Sequence, residues 1–226
     1  MPQSNGLQRN DFRYELKVPY QRAQFTEFES WLQRAGLHPV KQYADRLIHS
    51  VYLDTSEFDD YQDNVSGISK RGKLRIRWYN DATDNMVLEL KNKRGKLANK
   101  LIIKLDNPTG DLPFDRAIAN RLLRSNERSM AVARQASLFP SLHVQYERAY
   151  YEIAPDIRMT IDRNIRYQSL YPIKSARTAA SLIDVVIEFK YPTNKSKKAA
   201  ELLAGMPGRI FRHSKYVIGV DTVCAL

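Results

Sequence analysis

A single cysteine, Cys224, is all this chain has for sulfur chemistry. No internal disulfide can form, and a reducing compartment is expected. Cys224 itself reads as a small structural residue near a terminus. Long apolar runs are missing too. No stretch approaches the roughly 20 residues of a membrane span, and the opening MPQSNGLQRNDF lacks the apolar segment of a signal peptide. The expectation is a soluble, cytoplasmic protein with no direct membrane insertion. Histidine is scarce: His38, His49 and His143 read as ordinary surface or loop residues, and His213 stands beside Ser214 and Lys215. Acid is in deficit, with 25 Asp+Glu against 36 Lys+Arg, a net charge of +11. Such a chain expects an anionic partner: nucleic acid, a membrane surface or phosphate compounds. Aromatic residues do interleave with charge at Trp78, Tyr79, Tyr146 and Tyr150, as in stacking platforms. No helix-turn-helix, zinc or RNP-type signature accompanies them, so no specific nucleic acid is expected.

What the chain does have is alternation. A hydrophobic content of 43% supports a core, and no repeat, linker or composition shift divides the 226 residues. The reading is a flexible arm at residues 1–10 and a single domain over 11–226. Phe12 to Val18, Leu47 to Leu53, Arg71 to Tyr79, Met86 to Lys91, Lys100 to Leu105, Val144 to Tyr150, Ile157 to Asn164 and Ile183 to Tyr191 all alternate with period two, the mark of strands. Helical spacing marks residues 21–35 (Phe25, Phe28, Leu32, Ala35, then Gly36), 114–126 (Ile118, Leu122, Leu123), with a continuation or further helix over 127–138, and 195–204 (Ala199, Leu202, Leu203). Asp54-Thr55-Ser56 reads as a cap for a short helix; connections are read at 57–70, at 93–99 as a hairpin loop and at 166–181 as a polar loop. Residues 212–217 read as a short basic tail.

The faces decide the architecture. Arg71, Lys73, Arg75 and Arg77 fall on one side of their strand, against Leu74, Ile76 and Trp78. Glu89 and Lys91 oppose Leu88 and Leu90; Lys100 and Lys104 oppose Leu101, Ile103 and Leu105. A solvated sheet face normally mixes signs, because like charges side by side repel. A face that is cationic strand after strand fits a polyanion lying between the strands. The fold class read from this is α+β: an antiparallel β-barrel, or tunnel, with a charged interior, flanked by helices. The candidate interior set is Lys17, Arg75, Arg77, Lys91, Lys100, Arg148, Arg158 and Lys215, with Glu15, Glu89 and Glu188 among them. Arg71, Lys73 and Lys104 read equally as solvent-facing charges, and Glu15 and Glu89 as partners of neighbouring cations. Arg offers a fork matched to phosphate oxygens and Lys a mobile point charge. Carboxylates among them suggest a divalent ion bridging protein and phosphate.

RYELK at 13–17, YLDT at 52–55, LRIRWY at 74–79, LELK at 88–91, YER at 146–148, RMTID at 158–162, IEFK at 187–190 and HSKYVIG at 213–219 occur together in an order that resembles the VTC-type polyphosphate polymerase domain, within the triphosphate tunnel metalloenzymes (CYTH-like superfamily). The resemblance spans about residues 11 to 221. It implies a phosphotransferase that moves the terminal phosphate of ATP onto a polyphosphate chain, with Mn²⁺ or Mg²⁺. It implies catalytic roles for Arg75, Arg77, Arg148, Arg158 and Lys91, phosphate binding by Lys17, Lys100, Tyr146, Arg212, Ser214 and Lys215, and metal binding by Glu188. Implied partners are ATP and polyphosphate or tripolyphosphate; coupling to membrane transport would need a membrane protein in another chain.

Two positions depart from the pattern. The hydrolase branch opens Glu-x-Glu-x-Lys, where this chain has Arg13 before Glu15 and Lys17. Arg212 stands where the polymerase pattern has Lys. Rival readings are an inorganic triphosphatase or nucleotide phosphohydrolase of the same fold, and a non-catalytic polyphosphate-binding protein.

Overall fold

The computed structural model describes residues 13–94, 97–133, 138–170 and 177–224; the N-terminal arm read at 1–10 lies outside them. Ten strands form one antiparallel sheet: β1 (Arg13–Tyr20), β2 (Val40–Asp54), β3 (Lys70–Arg71), β4 (Leu74–Tyr79), β5 (Val87–Arg94), β6 (Leu97–Lys104), β7 (Phe139–Ala154), β8 (Ile157–Ser169), β9 (Thr178–Ala180) and β10 (Val185–Pro192). The order is β1-β10-β8-β7-β2-β4-β5, with β6 on the far side of β5. β3 continues the line of β4 along β5, and β9 pairs with the far end of β8. The fold is α+β, as expected. Among the described residues the ring is not closed by hydrogen bonds: β1 and β6 remain edges. The sheet nevertheless curls. Lys91 on β5 reaches Glu15 on β1 at 2.9 Å, although β5 and β1 lie near opposite ends of the strand order.

Helices cover the convex face. In α1 (Arg22–Arg34), Phe25, Phe28 and Trp31 are buried, three residues apart on one stripe. They pack with Val18, Ile187 and Phe189 from the outward side of β1 and β10. Gly36, at φ +63°, turns the chain out of the helix, a conformation a side chain would strain. α3 (Arg116–Arg124) begins where the Asp115 carboxylate accepts from the amide of Ala117 at 2.6 Å. Its Leu122 and Leu123 cover Ile76, Trp78 and Leu88. Two short helices, α2 (Asp59–Val65) and α4 (Glu127–Ala133), follow β2 and α3, and α5 (Ser196–Leu202) follows β10.

The third core cluster lies on the concave side. α6 (Lys215–Val223) sits there, with Tyr216, Gly219, Val220 and Val223 buried among Leu142, Val144, Tyr167 and Val186. Part of the inward face is therefore apolar. The residues read as a basic tail begin this helix, and the i, i+3, i+4, i+7 spacing of its buried side chains was the signal for it. Gly219 is required by contact: a Cβ there would come within 2.5 Å of Leu142 and 2.7 Å of Tyr167. Gly219→Ala is expected to lower stability by about 1–3 kcal/mol through overpacking, read as a lower urea midpoint at unchanged m-value.

Other boundaries also moved. The stretch 57–70 contains α2, with Phe58 buried beneath it. The hairpin of β5 and β6 runs to Arg94 and from Leu97, so paired strands occupy most of the loop read at 93–99. β8 extends to Ser169 and β9 lies at 178–180, both inside the loop read at 166–181; residues 171–176 are outside the described set. In the last two cases strand pairing overrode polar composition.

Candidate functional site

The inward faces of β1, β4, β5, β6, β7, β8 and β10 converge on a charged interior with two acidic centres. The first is Glu89, 3% exposed, which takes Arg75 Nη2 at 2.6 Å, Lys100 Nζ at 2.6 Å and Arg77 Nη1 at 3.5 Å. Register explains this: Arg75 lies directly opposite Glu89, and Lys100 opposite the neighbouring inward residue Lys91. Burial alone would raise the pKa of Glu89; the three cations, Arg75 foremost, bring it down to about 2. Arg75 also donates to Tyr52 Oη at 3.1 Å, and Arg77 to Ser50 Oγ at 3.1 Å and Tyr146 Oη at 3.3 Å.

The second centre pairs Asp162 with Glu188. Asp162 is fully buried and accepts a fork from Arg148, Nε at 2.5 Å and Nη2 at 2.8 Å, together with Lys215 Nζ at 2.5 Å. Glu188 is ringed by Lys190 Nζ at 3.3 Å, Lys17 Nζ at 3.7 Å and Arg148 Nη2 at 3.7 Å. Burial pushes the Glu188 carboxyl up, but Lys17, Lys190 and Arg148 outweigh it and hold the group well below the usual carboxylate range. The Tyr146 phenol lies under Arg148 and Lys215, 5.2 and 4.6 Å from its ring centre. Burial raises its pKa; Arg148 and Arg77 reverse the sign, so the phenol is net more acidic than a free tyrosine.

Cations outnumber acids. With Lys91 on Glu15, and Lys73 on Ser214 Oγ at 2.6 Å, nine cationic side chains gather around four ion-paired carboxylates among the described residues. Such a cavity draws anions in through its field.

A strap of residues 207–214 runs along the free edge of β1. Tyr20 Oη donates to the carbonyl of Pro207, Phe211 N donates to Lys17 O at 2.9 Å, and Lys17 Nζ donates to His213 O at 3.2 Å. Gly208, at φ +93°, allows the close approach, since a Cβ would fall 2.8 Å from Tyr20 and Val18. The strap delivers Ser214, whose Oγ accepts from Val217 N at 3.3 Å and caps α6.

A family model described as the VTC domain matches residues 12–224. The chain belongs to the VTC domain family. A search among curated proteins finds no match. Solved structures resemble the VTC domain chain in fold. A Hippeastrum protein provisionally named an adenylyl cyclase, with a dominant triphosphatase activity, superposes at TM-score 0.55 and 15% identity, covering 93% of this chain and 95% of that one. A Bacillus halodurans protein provisionally named an adenylate cyclase gives 0.54 and 16%, over 90% and 95%. A Pyrococcus horikoshii protein gives 0.51 and 12%, over 93% and 99%.

Within this VTC domain the structure brings together Arg75, Arg77, Lys91, Lys100, Arg148, Tyr146, Lys17, Lys215, Ser214 and Glu188. Two expected residues stand apart. Arg158 shares the inward register of Thr160 and Asp162 but is exposed, because β8 begins only one residue before it and its side chain lies at the rim, opposite Lys190 and Glu152. Arg212 is exposed on the strap, its guanidinium against Gly67.

Four others join the site. Asp162 has the same strand parity as Arg158, so alternation could have found it. Lys190 lies two residues from Glu188. Lys73 stands two before Arg75. His213 is 5% exposed, and its Nε2 is buried with no hydrogen-bond partner among the described residues. Burial, then Lys215 and Lys17, push its pKa down to about 3. Two more histidines depart from the surface reading. His49 Nδ1 and His143 Nε2 lie 3.2 Å apart, with the two rings parallel to Trp78 and Phe114 against His143. This is an apolar outer layer under α3, and no sequence pattern of either histidine announced it.

Proposed function

We propose that this VTC domain is a divalent-metal-dependent phosphotransferase of the polyphosphate polymerase type, moving the terminal phosphate of ATP onto a polyphosphate chain. The observation that carries the reading is the excess of inward-facing cations over carboxylates, on a surface where like charges repel unless an anion lies between them. Phosphoryl transfer needs chiefly positioning and charge stabilisation. The forks of Arg75, Arg77 and Arg148 suit the oxygens of the transferring group, while Lys91, Lys17, Lys100, Lys215, Ser214 and the Tyr146 hydroxyl hold the flanking phosphates. Arg158 at the rim and Arg212 on the strap act on phosphates at the mouth. The nucleophile is a terminal phosphate oxygen, largely ionised at neutral pH, so a strong general base is unnecessary.

Among the described residues no group of three or more His, Cys, Asp or Glu side chains converges. Mn²⁺ or Mg²⁺ needs fewer, since such ions are commonly held by one or two carboxylates plus phosphate oxygens and water. Glu188 is a hard oxygen donor and fits. When bound there, the ion supplies positive charge against the phosphate oxygens.

Incubation with ATP and Mn²⁺ tests the reading. Chains that lengthen with time, and that cease on chelation of the metal, are the expected result. Release of orthophosphate from tripolyphosphate without chain growth identifies a triphosphatase instead, the activity named for the Hippeastrum protein. Metal-independent binding with no turnover identifies a polyphosphate-binding protein.

A further inference from the structure

Lys73 differs from the eight other cations gathered around the two acidic centres. Lys17, Arg75, Arg77, Lys91, Lys100, Arg148, Lys190 and Lys215 each lie within ion-pair distance of a carboxylate. Lys73 does not, among the described residues. Its ammonium donates to a hydroxyl, Ser214 Oγ, at 2.6 Å, and lies 6.0 Å from the centre of the Tyr216 ring. Backbone position holds it there: its amide donates to Lys91 O at 3.0 Å, and its carbonyl accepts from Lys91 N at 2.9 Å. Those bonds bridge the step between β3 and β4 and turn the side chain inward.

The groups facing Lys73 are mostly of its own sign. Lys17 comes from β1, Lys91 from β5, Arg71 from β3 and Arg75 from β4. Asp60 of α2 interacts with it, and this carboxyl is itself pushed up to about 6, by burial first and then by Asp54 and Asp63. α6 presents Ser214 and the Tyr216 ring. A phosphate between these cations would reverse the balance at once, since each new anionic oxygen favours the charged amine.

We propose that Lys73 is a phosphate-binding residue of this site, recruited together with a proton from solvent when an anionic phosphate chain enters; this rests on the phosphate-chain reading above. In the empty site the amine is held by Ser214. With a chain bound it turns its donors to phosphate oxygens, and Ser214 keeps its cap on α6. No bond to phosphorus forms or breaks in this step; one proton moves from water to Nζ. Burial and the four cations hold the free-site amine at about 7, so above that value binding draws in a proton. Affinity therefore rises as pH falls toward 7.

Isothermal titration calorimetry of the full chain with a medium-length polyphosphate decides it. The internal groups of such a chain stay ionised throughout, and its end groups gain protons as pH falls, which opposes the expected trend. At pH 8, in buffers of different ionisation enthalpy, the wild type is expected to take up about one proton per chain bound. At constant ionic strength its affinity rises on the order of tenfold from pH 8.5 to pH 7. Lys73→Met loses the uptake and the slope. Lys73→Arg, permanently charged, binds at pH 8.5 nearly as it does at pH 7 and takes up no proton. Lys100→Met, which removes a cation paired with Glu89 and not one of the four acting on Lys73, binds more weakly but keeps uptake and slope. Wild-type binding with the same uptake and slope in Lys73→Met and Lys73→Arg overturns the proposal and leaves the phosphate reading standing. Absence of wild-type binding overturns both.

Discussion

Arg75→Ala is expected to slow the proposed polyphosphate synthesis by about 10²- to 10³-fold, the usual loss when one donor to a developing oxyanion is removed. The fold should survive. Glu89 keeps Lys100 at 2.6 Å and Arg77 at 3.5 Å, so no uncompensated charge is buried. Tyr52 loses the 3.1 Å contact to its hydroxyl and the guanidinium 5.8 Å from its ring centre, and stays stacked on Tyr216. Arg75→Lys keeps the charge and loses the fork, and should fall between alanine and wild type. Initial rates of chain growth in the three proteins are the measurement. An alanine variant within about threefold of wild type would remove Arg75 from the transferring phosphate.

Asp162→Ala should act on stability first. Here two cations, Arg148 and Lys215, share one fully buried carboxylate. Removing it leaves both largely buried charges without that carboxylate, a change worth about 3–5 kcal/mol in comparable buried pairs. Glu188 offers little compensation: Arg148 reaches it at 3.7 Å, and it already holds Lys17 and Lys190. The wild type should show the same dependence through acid. Burial opposes ionisation of Asp162, but Arg148 and Lys215 bring its pKa down to about 2. Its stabilising contribution is therefore complete above the ordinary aspartate value near 4 and is lost as pH falls toward 2. Glu89 behaves alike, at about 2. Urea midpoints between pH 7 and pH 2 should fall steeply in the wild type and less steeply in Asp162→Ala. Equal midpoints for the two proteins at pH 7 would mean that the Arg148–Asp162–Lys215 cluster is not buried as described.

The same residues show which parts of this protein were legible in the chain. Alternation in RGKLRIRWY, LELK and IEFK fixed the strands and the side that each charge takes, because the period of an extended strand is local. Helical spacing gave α1 and α3 for the same reason. The ordered motifs identified the family, and they brought Arg75, Arg77, Lys91, Arg148, Lys215 and Glu188 into a single candidate set before any of their distances were known.

What local pattern could not contain was the partner of each charge. Asp162 meets an arginine 14 residues away and a lysine 53 residues away. Lys73 reaches a serine 141 residues on. Parity says that these side chains face inward; only the curl of the sheet says which of them touch. The same dependence decides the rim positions of Arg158 and Arg212, the placing of α6 on the concave face and the aromatic layer around His49 and His143. Strand period is a property of neighbouring residues and is written in the chain. Burial and ion pairing depend on residues far apart in sequence, so tertiary structure alone settled which of these inward cations lie within ion-pair distance of a carboxylate.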